Sequence, residues 1–180
     1  MDSYTVNIKS ILDDLGATTE VSGTFDLTRL LVGTEVFVFK SPVRFEVWIT
    51  NTGTSVVSGG TVVGDAVATC SRCLCDFPLE IVGEVDGFYV FHGKEQGIPE
   101  DQEFEFIDDD GVIDVLPSLM AALVLEAPYA PVHDEECAGL CSMCGADLNE
   151  GQCGCSDSTP ADHPFAALGA LLEQDGGSEV

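Results

Sequence analysis

Val43-Arg44-Phe45-Glu46-Val47-Trp48-Ile49-Thr50, closed by Asn51-Thr52-Gly53-Thr54, is the stretch whose reading decides the fold. Val43, Phe45, Val47 and Ile49 alternate with Arg44, Glu46, Trp48 and Thr50. A two-residue period of this kind sends alternate side chains to opposite faces of a strand. The Asn-Thr-Gly-Thr tetrad supplies turn chemistry. Residues 55–69, rich in Val, Thr and Gly, then run to Cys70, and Leu79 to Phe91 resumes strand character after Pro78. Strand, turn and strand at this spacing predict antiparallel pairing. Gly59, Gly60 and Gly64 mark bulges or a tight bend.

Working outward, residues 92–113 form an acidic connector containing Glu100, Asp101, Glu103, Glu105 and Asp108-Asp109-Asp110. So many neighbouring carboxylates cannot share a core, so the connector reads as a solvated loop. The alternation of Phe104 and Phe106 with Glu103 and Glu105 leaves a short edge strand as the alternative. Val115, Leu116, Leu119, Met120, Leu123 and Val124 recur at helical spacing, with Asp114 as N-cap, Pro117 in the first turn and Ala127-Pro128 as the stop. A final short helix runs from an Asp162 cap through Phe165, Leu168, Leu171 and Leu172 to Gly176-Gly177. The expected class is α+β: an antiparallel β-sheet packed by one main helix, with a cysteine-rich zinc module and a short C-terminal helix. The expected division is 1–127 for the sheet and helix core and 128–155 for the Cys/His module. Residues 156–180 are expected to be a linker and a C-terminal helix docking on the core.

Charge narrows the function. The 180 residues hold 32 acids against 6 bases, a net charge of −26. All six bases lie in residues 1–94; residues 95–180 carry 20 acids and no Lys or Arg. Such a field repels nucleic acid and anionic membranes and attracts basic proteins; adaptation to a salty cytoplasm is the plainer alternative. The start of the chain has neither a basic nor an apolar leader region, and the longest apolar run, Leu119 to Leu125, is too short to span a membrane. A cytoplasmic home is expected. In a reducing cytosol the cysteines are then metal ligands or redox groups rather than structural disulfides.

Eight cysteines fall into two clusters, Cys70-x2-Cys73-x-Cys75 and Cys137-x3-Cys141-x2-Cys144-x8-Cys153-x-Cys155, with His133 four residues before Cys137. Two cysteines separated by two residues can point at one ion from a tight turn. A second pair close behind makes the signal strong. Cys141, Cys144, Cys153 and Cys155 are read as a closed four-thiolate zinc site, with Gly145 at the left-handed position of the turn. Cys70 and Cys73 need two further ligands, and His133 and Cys137 are left over. Those four are the second expected Zn2+ site; the alternative leaves Cys70 and Cys73 free and His133 a surface histidine. Cys75 is a rival fourth ligand, and Arg72 either donates hydrogen bonds to thiolates or faces solvent. The competing chemistry is thiol–disulfide exchange at Cys70 and Cys73. A redox thiol of that kind sits at a helix N-terminus, whereas this pair ends a strand in a negative field. No phosphate-binding glycine loop, catalytic triad or defensible pair of catalytic carboxylates is present.

Several of these residues resemble a known family. Cys70-Ser71-Arg72-Cys73-Leu74 and Ile113-Asp114 opening an apolar helix are similar to the bacterial YceD family, the large ribosomal RNA subunit accumulation protein. So is Cys137-Ala138-Gly139-Leu140-Cys141-Ser142-Met143-Cys144-Gly145-Ala146-Asp147-Leu148-Asn149-Glu150 with Cys153-Gly154-Cys155. Together with Asn51-Thr52-Gly53, the resemblance covers about residues 25–155. It implies non-catalytic support of large-subunit (23S) rRNA accumulation, and no established enzymatic activity. Shorter members keep the elements matched here by Cys70, Cys73, His133, Cys137 and Pro164-Phe165-Ala166-Ala167-Leu168 and lack the later cysteines. The resemblance thus implies two separate sites. Cys75 and the acidic second half depart from the family pattern. The expected partner is a basic ribosomal or assembly protein, with rRNA engaged indirectly and neither a membrane nor a small-molecule substrate. Direct rRNA binding, and an oxidoreductase using Cys70 and Cys73, are the alternatives.

Overall fold

In the computed structural model, which describes residues 3–99 and 102–155, the alternation around Trp48 is a central strand. The elements are β1 (Thr5–Asn7), α1 (Lys9–Leu12), β2 (Thr18–Phe25), β3 (Arg29–Val32), β4 (Glu35–Phe39), β5 (Val43–Asn51), β6 (Ser55–Thr69), β7 (Asp76–Phe91), β8 (Glu105–Ile107), β9 (Val112–Asp114) and α2 (Leu116–Glu126). The chain divides into two compact units, Met1–Cys137 and Ala138–Val180, and every named element belongs to the first. Residues 128–137, grouped by composition with the cysteine module, thus lie in the first unit.

The main sheet grows by three reversals. β2 and β3 run antiparallel to β5 and β4, from Thr18 opposite Thr50 to Val32 opposite Glu35. Gly33, with φ of 61°, turns the chain between β3 and β4. β5 then reverses into β6 at residues 52–54, where Gly53 has φ of 92° and its N–H donates to Asn51 Oδ1 at 2.8 Å. β6 pairs with β7 along its whole length, from Ser55 opposite Val90 to Thr69 opposite Asp76. That register leaves residues 70–75 as the tip of a long hairpin, so the first cysteine cluster is a turn and not a strand continuation.

The core lies on one face of this sheet. Val43, Phe45, Val47 and Ile49 of β5 are buried while Arg44, Glu46 and Trp48 are exposed, as the two-residue period requires. Leu119, Ala122 and Leu123 of α2 are buried against the same core. Each large apolar side chain so enclosed contributes about 1.5–3 kcal/mol. Gly83 of β7 permits the close approach of the helix, because a Cβ there would meet the Ala122 backbone at 2.7 Å. Tyr89, fully buried, lies within hydrogen-bond reach of Ser118 Oγ (3.0 Å) and Ser58 Oγ (3.3 Å). α2 ends at Ala127, which is extended ahead of Pro128.

Several elements differ from the sequence reading. The acidic connector is not wholly a loop. β8 pairs parallel with β7, and β9 pairs antiparallel with β1. Three-residue strands carry too little periodicity to register in a sequence. The N-cap position of α2 is Val115, since Asp114 belongs to β9; Asp114 Oδ1 still accepts from Leu116 N at 3.0 Å and from Tyr4 N at 2.9 Å. The four-residue α1 also lay below the resolution of the pattern. The expected C-terminal helix lies outside the described residues. Among the described residues no helix is long and apolar enough to cross a membrane.

Candidate metal centres

The β6–β7 tip folds as a tight knuckle. Cys70 N donates to Cys75 O at 2.8 Å and Leu74 N to Cys70 O at 2.9 Å. Leu74 has φ of 62°, a conformation that costs an L residue about 1–2 kcal/mol. The second unit repeats the same turn: Cys141 N donates to Ala146 O at 2.8 Å, Gly145 N donates to Cys141 O at 2.8 Å, and Gly145 has φ of 72°. Leu74 therefore occupies the place that Gly145 fills without strain. Such a turn aims the sulfurs of a C-x2-C pair to one side.

A second segment reaches the first knuckle. Ser71 N donates to Pro131 O at 2.8 Å, and Arg72 Nη1 donates to Glu135 O at 2.8 Å and Cys137 O at 3.1 Å. The Arg72 guanidinium thus neither caps a thiolate nor idles in solvent: it clamps residues 131–137 to the hairpin tip. Its role was not legible, because backbone carbonyls have no sequence signature. The outcome is convergence of Cys70, Cys73, His133 and Cys137, whose ligand atoms all lie within 4.8 Å of one another.

The distances define what can sit among them. Cys70 Sγ lies 3.9 Å from Cys137 Sγ, and His133 Nδ1 lies 3.4 Å from Cys70 Sγ and 3.5 Å from Cys73 Sγ. An ion about 2.3 Å from each sulfur and about 2.0 Å from nitrogen in a tetrahedron sets S–S edges of about 3.8 Å and S–N edges of about 3.5 Å. The donor set fits such an ion. Cys75 does not share this geometry: its Sγ is 3.1 Å from Cys73 Sγ, too close for two ligands of one tetrahedron, and its side chain is exposed. Its place in the knuckle is that of Ala146, whose contribution is a backbone carbonyl.

The thiols are electrostatically unequal. Burial raises the pKa of Cys70, but hydrogen bonds from the His133 side chain and from the Cys73, His133 and Arg72 backbones outweigh it and bring it to about 5. Backbone hydrogen bonds from Cys144 and Met143 bring Cys141 to about 6, while side-chain hydrogen bonds to Cys144 and Cys153 push Cys155 up to about 12. Each knuckle thus presents its first cysteine as a ready anion, the state a metal binds.

The second cluster stands in the second unit. The ligand atoms of Cys141, Cys144, Cys153 and Cys155 also lie within 4.8 Å of one another. Polar turns frame them: Leu148 N donates to Gly139 O at 2.9 Å, Ala138 N to Asn149 Oδ1 at 2.8 Å, and Asn149 N to Asp147 Oδ1 at 2.9 Å. Among residues 138–155 only Gly139 is buried. An apolar core is missing from this stretch, and the four-thiol set is what remains to order it.

A family model for the large ribosomal RNA subunit accumulation protein YceD matches residues 59–172. An uncharacterised protein of Mycobacterium leprae is 25% identical over 119 residues, 65% of this chain and 55% of that protein. An uncharacterised protein of Mycobacterium tuberculosis strain H37Rv is 28% identical over 95 residues, 52% of this chain and 45% of that protein. The large ribosomal RNA subunit accumulation protein YCED homolog 1, chloroplastic, of Arabidopsis thaliana is 28% identical over 127 residues, 64% of this chain and 39% of that protein. The chain spans about half the length, or less, of these curated relatives. No solved structure matches the chain significantly.

Proposed function

The chain belongs to the YceD family, and from that membership we propose that it supports accumulation of large-subunit ribosomal RNA as a non-catalytic, cytoplasmic assembly factor that binds a basic ribosomal or assembly protein. The observation that carries the partner class is the charge distribution. Residues 95–180 hold 20 acids and no Lys or Arg. Among the described residues only two ion pairs form, Lys9–Asp110 and Arg44–Asp65. Most carboxylates therefore face outward uncompensated, and a surface of that sign gathers cations and repels phosphates. A basic protein held on it is shielded from premature contact with RNA.

In this reading both cysteine clusters hold Zn2+ in structural sites. Three thiolates with one imidazole, and four thiolates, are closed tetrahedral sets with no position left for a substrate. Zn2+ in such a set orders the chain and leaves all of its protein ligands deprotonated. The same closure disfavours disulfide exchange at Cys70 and Cys73, because both sulfurs are buried among the other ligands.

The test is a titration at physiological salt against isolated large-subunit ribosomal RNA and, separately, against basic large-subunit proteins. Binding to the proteins that weakens as salt rises is expected. Tight binding to RNA alone would overturn the partner class.

A further inference from the structure

Within the first unit, no described residue covers one face of the main sheet. α2 lies against the face that carries Gly83 and the buried residues of β7. On the other face the register sets out two rows. Glu20, Trp48, Gly59 and Asp86 are cross-strand neighbours on β2, β5, β6 and β7, and Ser22, Glu46, Thr61 and Glu84 form the next row. Trp48, the chain's single tryptophan, is 45% exposed, and Val82, farther along β7 on the same face, is 48% exposed. The indole lies across Gly59, where any Cβ would collide with its ring. The glycine therefore holds a large aromatic flat on the sheet between two carboxylates.

The charges of this face are also unbalanced. Two cations lie on it by register: Arg44, engaged by Asp65 at 3.2 Å, and Arg29, which stands opposite Val38 on the edge strand β3, away from the Trp48 row. Glu20, Glu46, Glu84 and Asp86 make no ion pair among the described residues. We propose that this face, centred on Trp48, docks an Arg- and Lys-rich segment of the protein partner. The inference rests on the reading of the chain as a binder of a basic protein and says where that protein binds.

Charge selects the occupant. A second copy of the chain carries the same −26, and this chain's own residues 95–180 have no Lys or Arg to offer. Nucleic acid phosphates meet the same repulsion. A basic segment has what the face lacks. A guanidinium stacks on the exposed indole, and its neighbours reach carboxylates on either side. Glu20 and Asp86 stand three strand spacings apart, about 14 Å, and Glu46 and Trp48 are separated by about 7 Å along β5. Cations at alternate positions of an extended segment repeat at that same interval.

Trp48 reports its own occupancy. The probe is a synthetic peptide alternating Arg with Val, compared with the same peptide carrying Glu for Arg. At physiological salt the Arg peptide should shift the tryptophan emission of the full chain and the Glu peptide should not. The combined variant Glu20→Gln, Glu46→Gln, Asp86→Asn should bind the Arg peptide about tenfold more weakly. A control of equal charge change elsewhere, Asp109→Asn, Glu126→Gln, Glu135→Gln, should bind within about twofold of the unsubstituted chain. Equal weakening by both variants would overturn the assignment of the face, as would an Arg peptide that binds without moving the emission. The partner reading is tested apart from this, with basic large-subunit proteins. If the unsubstituted chain and the sheet-face variant retain them equally, the face is wrong and the reading stands. If the unsubstituted chain retains none of them, the reading fails along with the face.

Discussion

Replacing His133 by Ala removes one corner of the first tetrahedron and little else, because the imidazole is exposed and its ligand atom faces Cys70 and Cys73 at 3.4 and 3.5 Å. Water must then complete the coordination. Losing a group that only hydrogen-bonds to a metal ligand weakens metal binding by about 10–100-fold, so loss of a ligand itself is expected to weaken it by about 100-fold or more. That is about 2.7 kcal/mol. Metal that binds only the folded chain stabilises it by mass action, so the loss carries into stability at fixed free zinc. For a unit of this size a drop of about 2.7 kcal/mol lowers Tm by roughly 5–11 °C. The assay is elemental analysis after dialysis against buffered zinc, paired with calorimetry. The His133→Ala chain should retain one zinc where the unsubstituted chain holds two, and melt earlier. Cys75→Ser is the counterpart: it should retain both ions and melt within about 0.5 kcal/mol of the unsubstituted chain. If Cys75→Ser loses an ion and His133→Ala does not, the geometry of the first centre has been misread.

Cys141→Ser should remove one zinc and leave the melting of the first unit unchanged, as seen by metal content and calorimetry on one sample. Chelation should abolish the amide protection of residues 138–155, which lack an apolar core, while the β6–β7 ladder keeps its slow hydrogen exchange. Asn51→Ala should destabilise the first unit by about 2–4 kcal/mol, read from the urea midpoint, because one buried amide serves Ile11 O, Leu12 O and Asp14 O at 2.9, 3.0 and 3.1 Å. Tyr89 is held protonated, its pKa raised chiefly by burial above the ordinary value of 10. A raised folded-state value gives a contribution that is complete below pH 10 and lost as pH rises through the shifted pKa. Tyrosinate absorbance should therefore show a late-ionising component that Tyr89→Phe removes, and stability should fall across that interval.

The long strands were legible because β5 alternates without interruption and faces water on one side. The cysteine clusters were legible because zinc-type ligand spacing is local. What escaped has a common physical cause. β1, β8 and β9 are three residues each, and α1 is four, too short to display a period. Arg72 acts on the carbonyls of Glu135 and Cys137, and a carbonyl looks the same in every residue. The hairpin register that places Cys70 to Cys75 at a tip depends on fifteen residues of β6 pairing in order with β7, a long-range fact. Leu74 was legible in principle: it follows Cys73 as Gly145 follows Cys144, and the second knuckle declared its left-handed residue openly.

The two centres use one turn and reach order by different routes. At the first, a long hairpin presents the knuckle, and three hydrogen bonds from Ser71 and Arg72 bring in the segment bearing His133 and Cys137. The backbone around the donor atoms is set by contacts that need no ion, and even the strain at Leu74 is carried by the hairpin beneath it. At the second, Gly145 relieves the turn of strain, yet the stretch around it buries only Gly139. Four thiolates on one Zn2+, as proposed above, would carry more formal charge than the ion removes and would add to a half of the chain already without Lys or Arg. The second module would thus depend more on a bound metal than the first centre does. On the proposed function, zinc at these four cysteines would order the second module and add to the field that draws a basic partner, whereas the first centre fastens the sheet on whose other face that partner is proposed to dock.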